Sequence, residues 1–257
     1  MRITFLGTGT SQGVPVIGCT HPVCLSQDPR DRRTRSSILI EKGNKNLLID
    51  CGPDFRMQML KNRKDCIDAL LLTHEHNDHL AGLDDLRPIY FKAKKPIPVY
   101  ALERVLEEVK YRFSYIFSEK KFAGKPELSL LSIKSQEIFD VEGFRILSLE
   151  VQHNDLFILG YRIGRFAYIT DASFLPETTI ESLKNIEFLV LNTLRIKPEH
   201  PSHFSLPQAL NIIKKLSPEK TYLTHMSYEI GFHKDLIKDL PSGVLPAYDG
   251  LSIECLY

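Results

Sequence analysis

The sequence lacks an excess of charge of either sign. Lysine and arginine number 33 against 32 aspartates and glutamates in 257 residues, a formal net charge of +1. That balance gives no support to a globally basic nucleic-acid binder or a polybasic membrane binder. Long apolar runs are also missing: a stretch such as Phe188-Leu189-Val190-Leu191 falls far short of the roughly 20 residues that span a bilayer. The opening Met1-Arg2-Ile3-Thr4-Phe5-Leu6-Gly7 reaches glycine before a signal-peptide core forms. The five cysteines, at 19, 24, 51, 66 and 255, are an odd set in a chain too long to need a disulfide framework. The expectation is a soluble, reduced, cytoplasmic protein with no membrane attachment. No repeat, low-complexity tract or Gly/Ser linker interrupts residues 1–257, which read as one domain.

What is present is ordinary for a globular chain, with 43% hydrophobic and 25% charged residues. Short apolar runs predict strands near 2–6, 36–41, 46–50, 67–72, 97–101, 128–133, 144–151, 157–163, 166–170, 187–192, 220–224 and 251–256. Gly43-Asn44 reads as a hairpin turn between two of them. Leu102, Val105, Leu106, Val109, Phe113, Ile116 and Phe117 follow helical spacing and predict one amphipathic helix. A second helix is expected to start at Ser205, with Gln208 completing a capping box. Strands interspersed with helices indicate a layered α/β protein.

Nine histidines are unremarkable as a number, but three of them stand at 74, 76 and 79. In Leu70-Leu71-Leu72-Thr73-His74-Glu75-His76-Asn77-Asp78-His79 an apolar strand runs directly into four metal-ligand side chains. In extended backbone His74 and His76 point to one side. Asp78 and His79, being adjacent, are expected to diverge, which suits two neighbouring metals better than one. Imidazole and carboxylate are the usual ligands of zinc and also suit manganese or iron.

This HxHxDH at a strand end resembles the signature of the metallo-β-lactamase superfamily, whose fold is a four-layer αβ/βα sandwich. Further matches are the strand entering Gly7-Thr8-Gly9-Thr10 and the one closing on Asp50-Cys51-Gly52. The later ligands of that family would fall on Val151-Gln152-His153, Tyr168-Ile169-Thr170-Asp171 and Leu223-Thr224-His225. The resemblance implies His74, His76 and His153 on one divalent ion, zinc or manganese. It puts Asp78, His79 and His225 on a second ion, with Asp171 bridging the two. Two such ions carry +4 against −2 from the aspartates, so an anionic substrate is attracted locally. His203-Phe204-Ser205 resembles the HxS/T motif of the phosphodiesterase branches, which implies His203 as general acid toward a leaving alkoxide. His200, three residues away, ranks behind it. Asp78 would also orient a metal-bridging hydroxide.

Gly18-Cys19-Thr20-His21-Pro22-Val23-Cys24 resembles the branch typified by the PhnP cyclic phosphodiesterase. That branch holds a structural zinc in this loop, here implied on Cys19, His21 and Cys24. Its fourth ligand is a histidine at the position of Tyr228, with His233 as the substitute nearby. Arg35, Arg56 and Arg87 are candidates for phosphate contacts or, preferably, structural ion pairs. Gly7 to Gly13 is no nucleotide loop, because no GK[ST] follows.

The expected activity is a dinuclear-metal phosphodiesterase hydrolysing a small, cyclic phosphodiester, and a homodimer is the expected assembly. An RNase Z-like endonuclease taking tRNA is the first alternative. A thioester or lactam hydrolase of the same fold is the second.

Overall fold

The computed structural model describes residues 1–118 and 124–256. Its strands are β1 (Arg2–Gly7), β2 (Ser37–Lys42), β3 (Lys45–Ile49), β4 (Ala69–Leu71), β5 (Ile97–Ala101), β6 (Leu128–Ser132) and β7 (Ile138–Val141). They continue as β8 (Phe144–His153), β9 (Leu156–Ile163), β10 (Phe166–Ile169), β11 (Phe188–Asn192), β12 (Lys220–Thr224), β13 (Val244–Pro246) and β14 (Ser252–Glu254). The helices are α1 (Phe55–Lys61), α2 (Asn77–Leu80), α3 (Arg87–Ala93), α4 (Glu103–Arg112), α5 (Ser114–Phe117), α6 (Glu177–Ser182), α7 (Leu206–Leu216) and α8 (His233–Asp239).

Two seven-stranded sheets form, in the orders β14-β1-β2-β3-β4-β5-β6 and β13-β12-β11-β10-β9-β8-β7. Strands β3 to β6 pair in parallel, as do β10 to β13. Both faces of each sheet are covered, so the strands are apolar on both sides and the period of two sorts residues between two cores. Ile38, Ile40, Leu47, Ile49 and Leu71 meet Phe144, Ile146, Tyr161, Phe166 and Tyr168 between the sheets. Their neighbours Leu39, Leu48 and Leu70 face Phe55, Ile89, Val105 and Val109 of α1, α3 and α4. On the far side Ala167, Ile169, Leu189 and Leu191 face Ile180, Ala209, Ile213 and Leu236 of α6, α7 and α8. The result is the expected helix–sheet–sheet–helix sandwich of the metallo-β-lactamase type.

All twelve expected strands have a counterpart. Strands β7 and β13 were not anticipated. Strand β7 is a sheet edge with alternate residues in solvent, and β13 is three residues ending in proline. Ser205 starts α7 as expected, its N–H and hydroxyl both donating to Gln208 Oε1 at 2.8 Å. The expected single helix over 102–117 is two, because Phe113 leaves helical geometry between α4 and α5. All five cysteines are free thiols. Among the described residues, no helix is long and apolar enough to cross a membrane.

The loop after β1 ties the sheets together at one edge. Gly9 N–H donates to the Thr34 carbonyl, Thr10 N–H to Met226, and Met226 N–H back to Thr8. Strands β3, β4, β8, β10 and β12 all end at that edge.

Candidate metal centre

Asp50 follows β3, His74 follows β4, His153 closes β8, Asp171 follows β10 and His225 follows β12. Asp50, Asp171 and His225 each turn there through left-handed backbone, at φ 63°, 56° and 54°. For a side-chain-bearing residue that conformation costs of order 1–3 kcal/mol, and it concentrates at functional sites. Gly52 is required for a different reason. A Cβ on it would come within 2.1 Å of the Asp78 carbonyl, so the turn after β3 can pack directly on α2.

The structure brings all seven expected ligands together in groups whose donor atoms lie within 4.8 Å of one another. One group is His74, His76 and His153; a second is Asp78, His79, Asp171 and His225. A third joins His153 and Asp171 to His203. The expectation that Asp78 and His79 diverge is corrected: α2 turns both inward, with His79 Nε2 3.1 Å from Asp78 Oδ2. Asp171 stands between His79 Nε2 and His225 Nε2 at 3.2 Å from each.

The rings of His74, His79 and His153 are held through Nδ1, which leaves Nε2 for another partner. His79 Nδ1–H donates to Asp50 Oδ2 at 2.7 Å. The Thr73 hydroxyl lies 3.0 Å from both Asp50 oxygens and 3.0 Å from His74 Nδ1, so one carboxylate orients two rings. His153 Nδ1–H donates to the carbonyls of Asp171 and Ser202, at 2.7 and 2.8 Å. Asn192 fixes the chain after Asp171 by bonding both the N–H and the carbonyl of Ala172. Meanwhile Nε2 of His74, His79 and His225 is buried with no hydrogen-bond partner. Orphaned buried nitrogens facing carboxylates, with the opposite ring nitrogen anchored, fit the donor set of a divalent ion. Asp50, Thr73 and Asn192 were not singled out from the sequence; only the strand-end position of Asp50 marked any of them.

Electrostatics divide the centre. Burial opposes charge on His79, but Asp78, Asp171 and Asp50 outweigh it and hold that imidazole well above its ordinary value. Burial, reinforced by His79, pushes His74 well below; burial and His153 lower His76. Asp171 resists its burial because His225 and His79 draw it well below the carboxylate range. His203 is pushed down to about 3, first by burial and then by His225. Its Nδ1 is 3.6 Å from Asp171 Oδ1, and its ring centroid is 4.8 Å from those of His153 and His225. The His200 ring lies beside it, tilted by 35°, with 5.1 Å between centroids.

The cysteine loop behaves differently. Cys19 and Cys24 pack with Val14, Val23, Tyr228 and Phe232, and Tyr228 lies against His21 at 5.0 Å between ring centroids. Among the described residues, however, Cys19, His21 and Cys24 do not converge at ligand spacing. His233 joins none of the candidate ligand groups among the described residues; its backbone N–H donates to Asp31 and its ring meets Tyr248 edge-on. Arg35 pairs with Asp54 at 3.1 Å and Arg87 with Asp84, so both are structural ion pairs. Arg56 lies on α1 and lines a cavity with Phe55, Met59 and Ile89, to which none of the expected ligands contributes.

A family model described as a β-lactamase superfamily domain matches residues 45–226. A crystal structure of a diphosphatase from the PhnP family superposes with a TM-score of 0.92 at 38% identity, covering 99% of this chain and 98% of that one. An octanoyltransferase of Porphyromonas gingivalis is 42% identical over 98% of this chain, which spans 51% of that relative's length. A ribonuclease Z of Methanosarcina acetivorans is 27% identical over 65% of this chain and 51% of its own length.

Proposed function

Because the chain belongs to the β-lactamase superfamily and to its PhnP-like branch of hydrolases, we propose that it is a dinuclear-metal phosphodiesterase of small, cyclic phosphodiesters. The observation that carries this reading is the position of His203. It shares Asp171 and His153 with the metal ligands and yet stands outside both ligand groups. Beside both expected ligand sets and a member of neither, it is placed to transfer a proton to a leaving group.

Two divalent ions bound there would supply hydroxide near neutral pH and positive charge for the phosphoryl oxygens. The chain does the rest. Asp50 and Thr73 hold the rings of His79 and His74 in one tautomer, and Asp171 sets the spacing between the two groups. Asp78 orients the attacking oxygen. His203 holds the proton for the leaving alkoxide, and an anionic substrate beside it raises its low proton affinity. His76 and His153 open onto a cavity of about 330 Å³ walled by Asn154, Asp155, Leu156 and Ser202, room for the substrate's remaining atoms.

The diphosphatase relative favours a neighbouring chemistry, cleavage of a P–O–P bond, whose phosphate leaving group needs no proton. The ribonuclease Z relatives favour tRNA, and the octanoyltransferase relative, of which this chain spans 51%, favours octanoyl transfer. The test is one panel with the metal-loaded protein: bis-p-nitrophenyl phosphate, a 2′,3′-cyclic nucleotide, a dinucleoside diphosphate, a pre-tRNA, octanoyl-CoA and nitrocefin. Fastest turnover of the cyclic nucleotide is expected. Turnover confined to octanoyl-CoA or nitrocefin overturns the phosphodiesterase reading.

A further inference from the structure

Resting on the dinuclear reading, we propose that Arg104 is a positioning residue that sets the His74/His76/His153 group for its metal ion. These three ligands come from different sheets. His74 and His76 follow β4 of the first, whereas His153 ends β8 of the second. Their separation therefore depends on what fastens the segment 72–76 to the β8–β9 hairpin.

Three fastenings lie in order along β9. The Tyr161 hydroxyl donates to the Leu72 carbonyl at 2.7 Å, and Leu159 N–H donates to the Thr73 carbonyl at 3.1 Å. The third is made by Arg104, from the first turn of α4. Its Nε and Nη2 form a fork on Glu75, at 3.0 Å to Oε1 and 3.2 Å to Oε2. The same Nη2 donates to the Phe157 carbonyl. Residues 157 and 159, two apart along the strand, present these backbone groups to the same strand edge, and the Tyr161 side chain reaches the same segment two residues further on. Arg104 thus supplies the outermost rung, across a gap the backbone does not close.

That rung stands where the ligand group is loosest. Glu75 lies between His74 and His76, and His76 is exposed while His74 and His153 are buried. Phe157 pairs with Gln152, next to His153. The same helical arm holds the ligand segment further on, Arg112 donating to Asn77 Oδ1 at 2.8 Å and the Tyr115 hydroxyl to Asp84. The fork demands a guanidinium: lysine, a point charge on a flexible stem, cannot serve both Glu75 oxygens and the Phe157 carbonyl at once. The two inner fastenings remain in an Arg104 variant, so the sheets stay joined and only the outer end of the ligand segment is freed.

The experiment titrates metal-free protein with Zn²⁺ alone, by calorimetry, for wild type, Arg104→Ala, Arg104→Lys and His76→Ala. Two equivalents are expected in the wild type. Both Arg104 variants should keep one at wild-type affinity and bind the other about 10- to 100-fold more weakly, the range for losing a group that orients a ligand. The weakened equivalent should be the one that His76→Ala abolishes. If Arg104→Ala does not fold, the lysine variant alone decides the matter. Two unchanged equivalents, equal weakening of both, or full recovery with lysine overturns the proposal. A wild type that binds fewer than two equivalents overturns the dinuclear reading and the brace with it.

Discussion

Two segments of this chain carry metal-ligand residues at suggestive spacing, and only one of them folds into a cluster of donor atoms. At the HxHxDH edge seven side chains converge, and Nε2 of His74, His79 and His225 is buried without a partner. In the loop after Val14, His21 is exposed, and its Nδ1 takes a weak bond from Val23 N–H at 3.3 Å. The Cys24 thiol is raised by burial and by its neighbour Cys19, so it keeps the proton that metal binding would have to remove. Spacing brings ligand types near each other. A binding site also needs a second set of contacts that aims each donor inward, and only the first segment has one.

The comparison breaks most decisively at Asp171, which belongs to both the carboxylate-bearing ligand group and the His203 group. Asp171→Ala should lower hydrolysis by more than about 10⁴-fold, beyond the usual upper end for losing one proton-transfer group. Metal content measured on the same sample should fall with it. Retained metal would show that Asp171 is not the shared ligand.

His203→Ala should separate chemistry from coordination. A loss of about 10²–10³-fold in kcat is expected, with metal content unchanged. The loss should be largest for substrates with poor alkoxide leaving groups and small for p-nitrophenolate or a P–O–P bond. A uniform loss across leaving groups would remove His203 from proton transfer.

A different contribution comes from His233, beside the cysteine loop. Burial, then the charges of Arg33 and Arg30, push it down to about 4, against about 6.5 in an unfolded chain. Between those values the unfolded chain binds a proton that the folded one refuses. Stability therefore falls as pH drops through 6.5 toward 4 and levels off below. The difference corresponds to about 3 kcal/mol at most. Urea unfolding of wild type and His233→Gln at pH 7.5 and 5 measures it: the variant should lose less on acidification, and equal losses would contradict the assignment.

Much of this candidate centre was legible in the sequence because the expected ligands sit at the ends of strongly apolar strands. Leu70-Leu71-Leu72 before His74, and Tyr168-Ile169 before Asp171, announce both the strand and its end. What stayed hidden was relational. Nothing local marks Thr73 as the link from Asp50 to His74, or Asn192 as the holder of Ala172, since each acts on a residue 20 or more positions away or through a second partner. The inward turn of Asp78 beside His79 was hidden too, because a four-residue helix is too short to show a period. The break at Phe113 left no mark either, the apolar stripe running across it unbroken.

Asp50→Asn should act on both ligand groups at once, because the carboxylate holds His79 directly and His74 through Thr73. A loss of about 10- to 100-fold in Zn²⁺ affinity is expected. Loss confined to one equivalent would show that the Thr73 relay carries no weight.

The smallest effect is expected where the spacing looked most suggestive. Cys19→Ser should leave metal content and turnover unchanged, because Cys19, His21 and Cys24 do not converge and Tyr228 occupies the side where a fourth ligand would stand. Replacing the tyrosine sharpens the contrast. Tyr228→His puts an imidazole beside His21 and the two thiols, and zinc would then have four donors of the kinds it prefers in closed sites. Plasma emission analysis of the two proteins decides the question. One extra equivalent in Tyr228→His, absent from the wild type, would place the loop one substitution away from a metal site. A third equivalent in the wild type that disappears in Cys19→Ser would show instead that zinc itself draws the loop together, and that its free geometry is the apo form of a site.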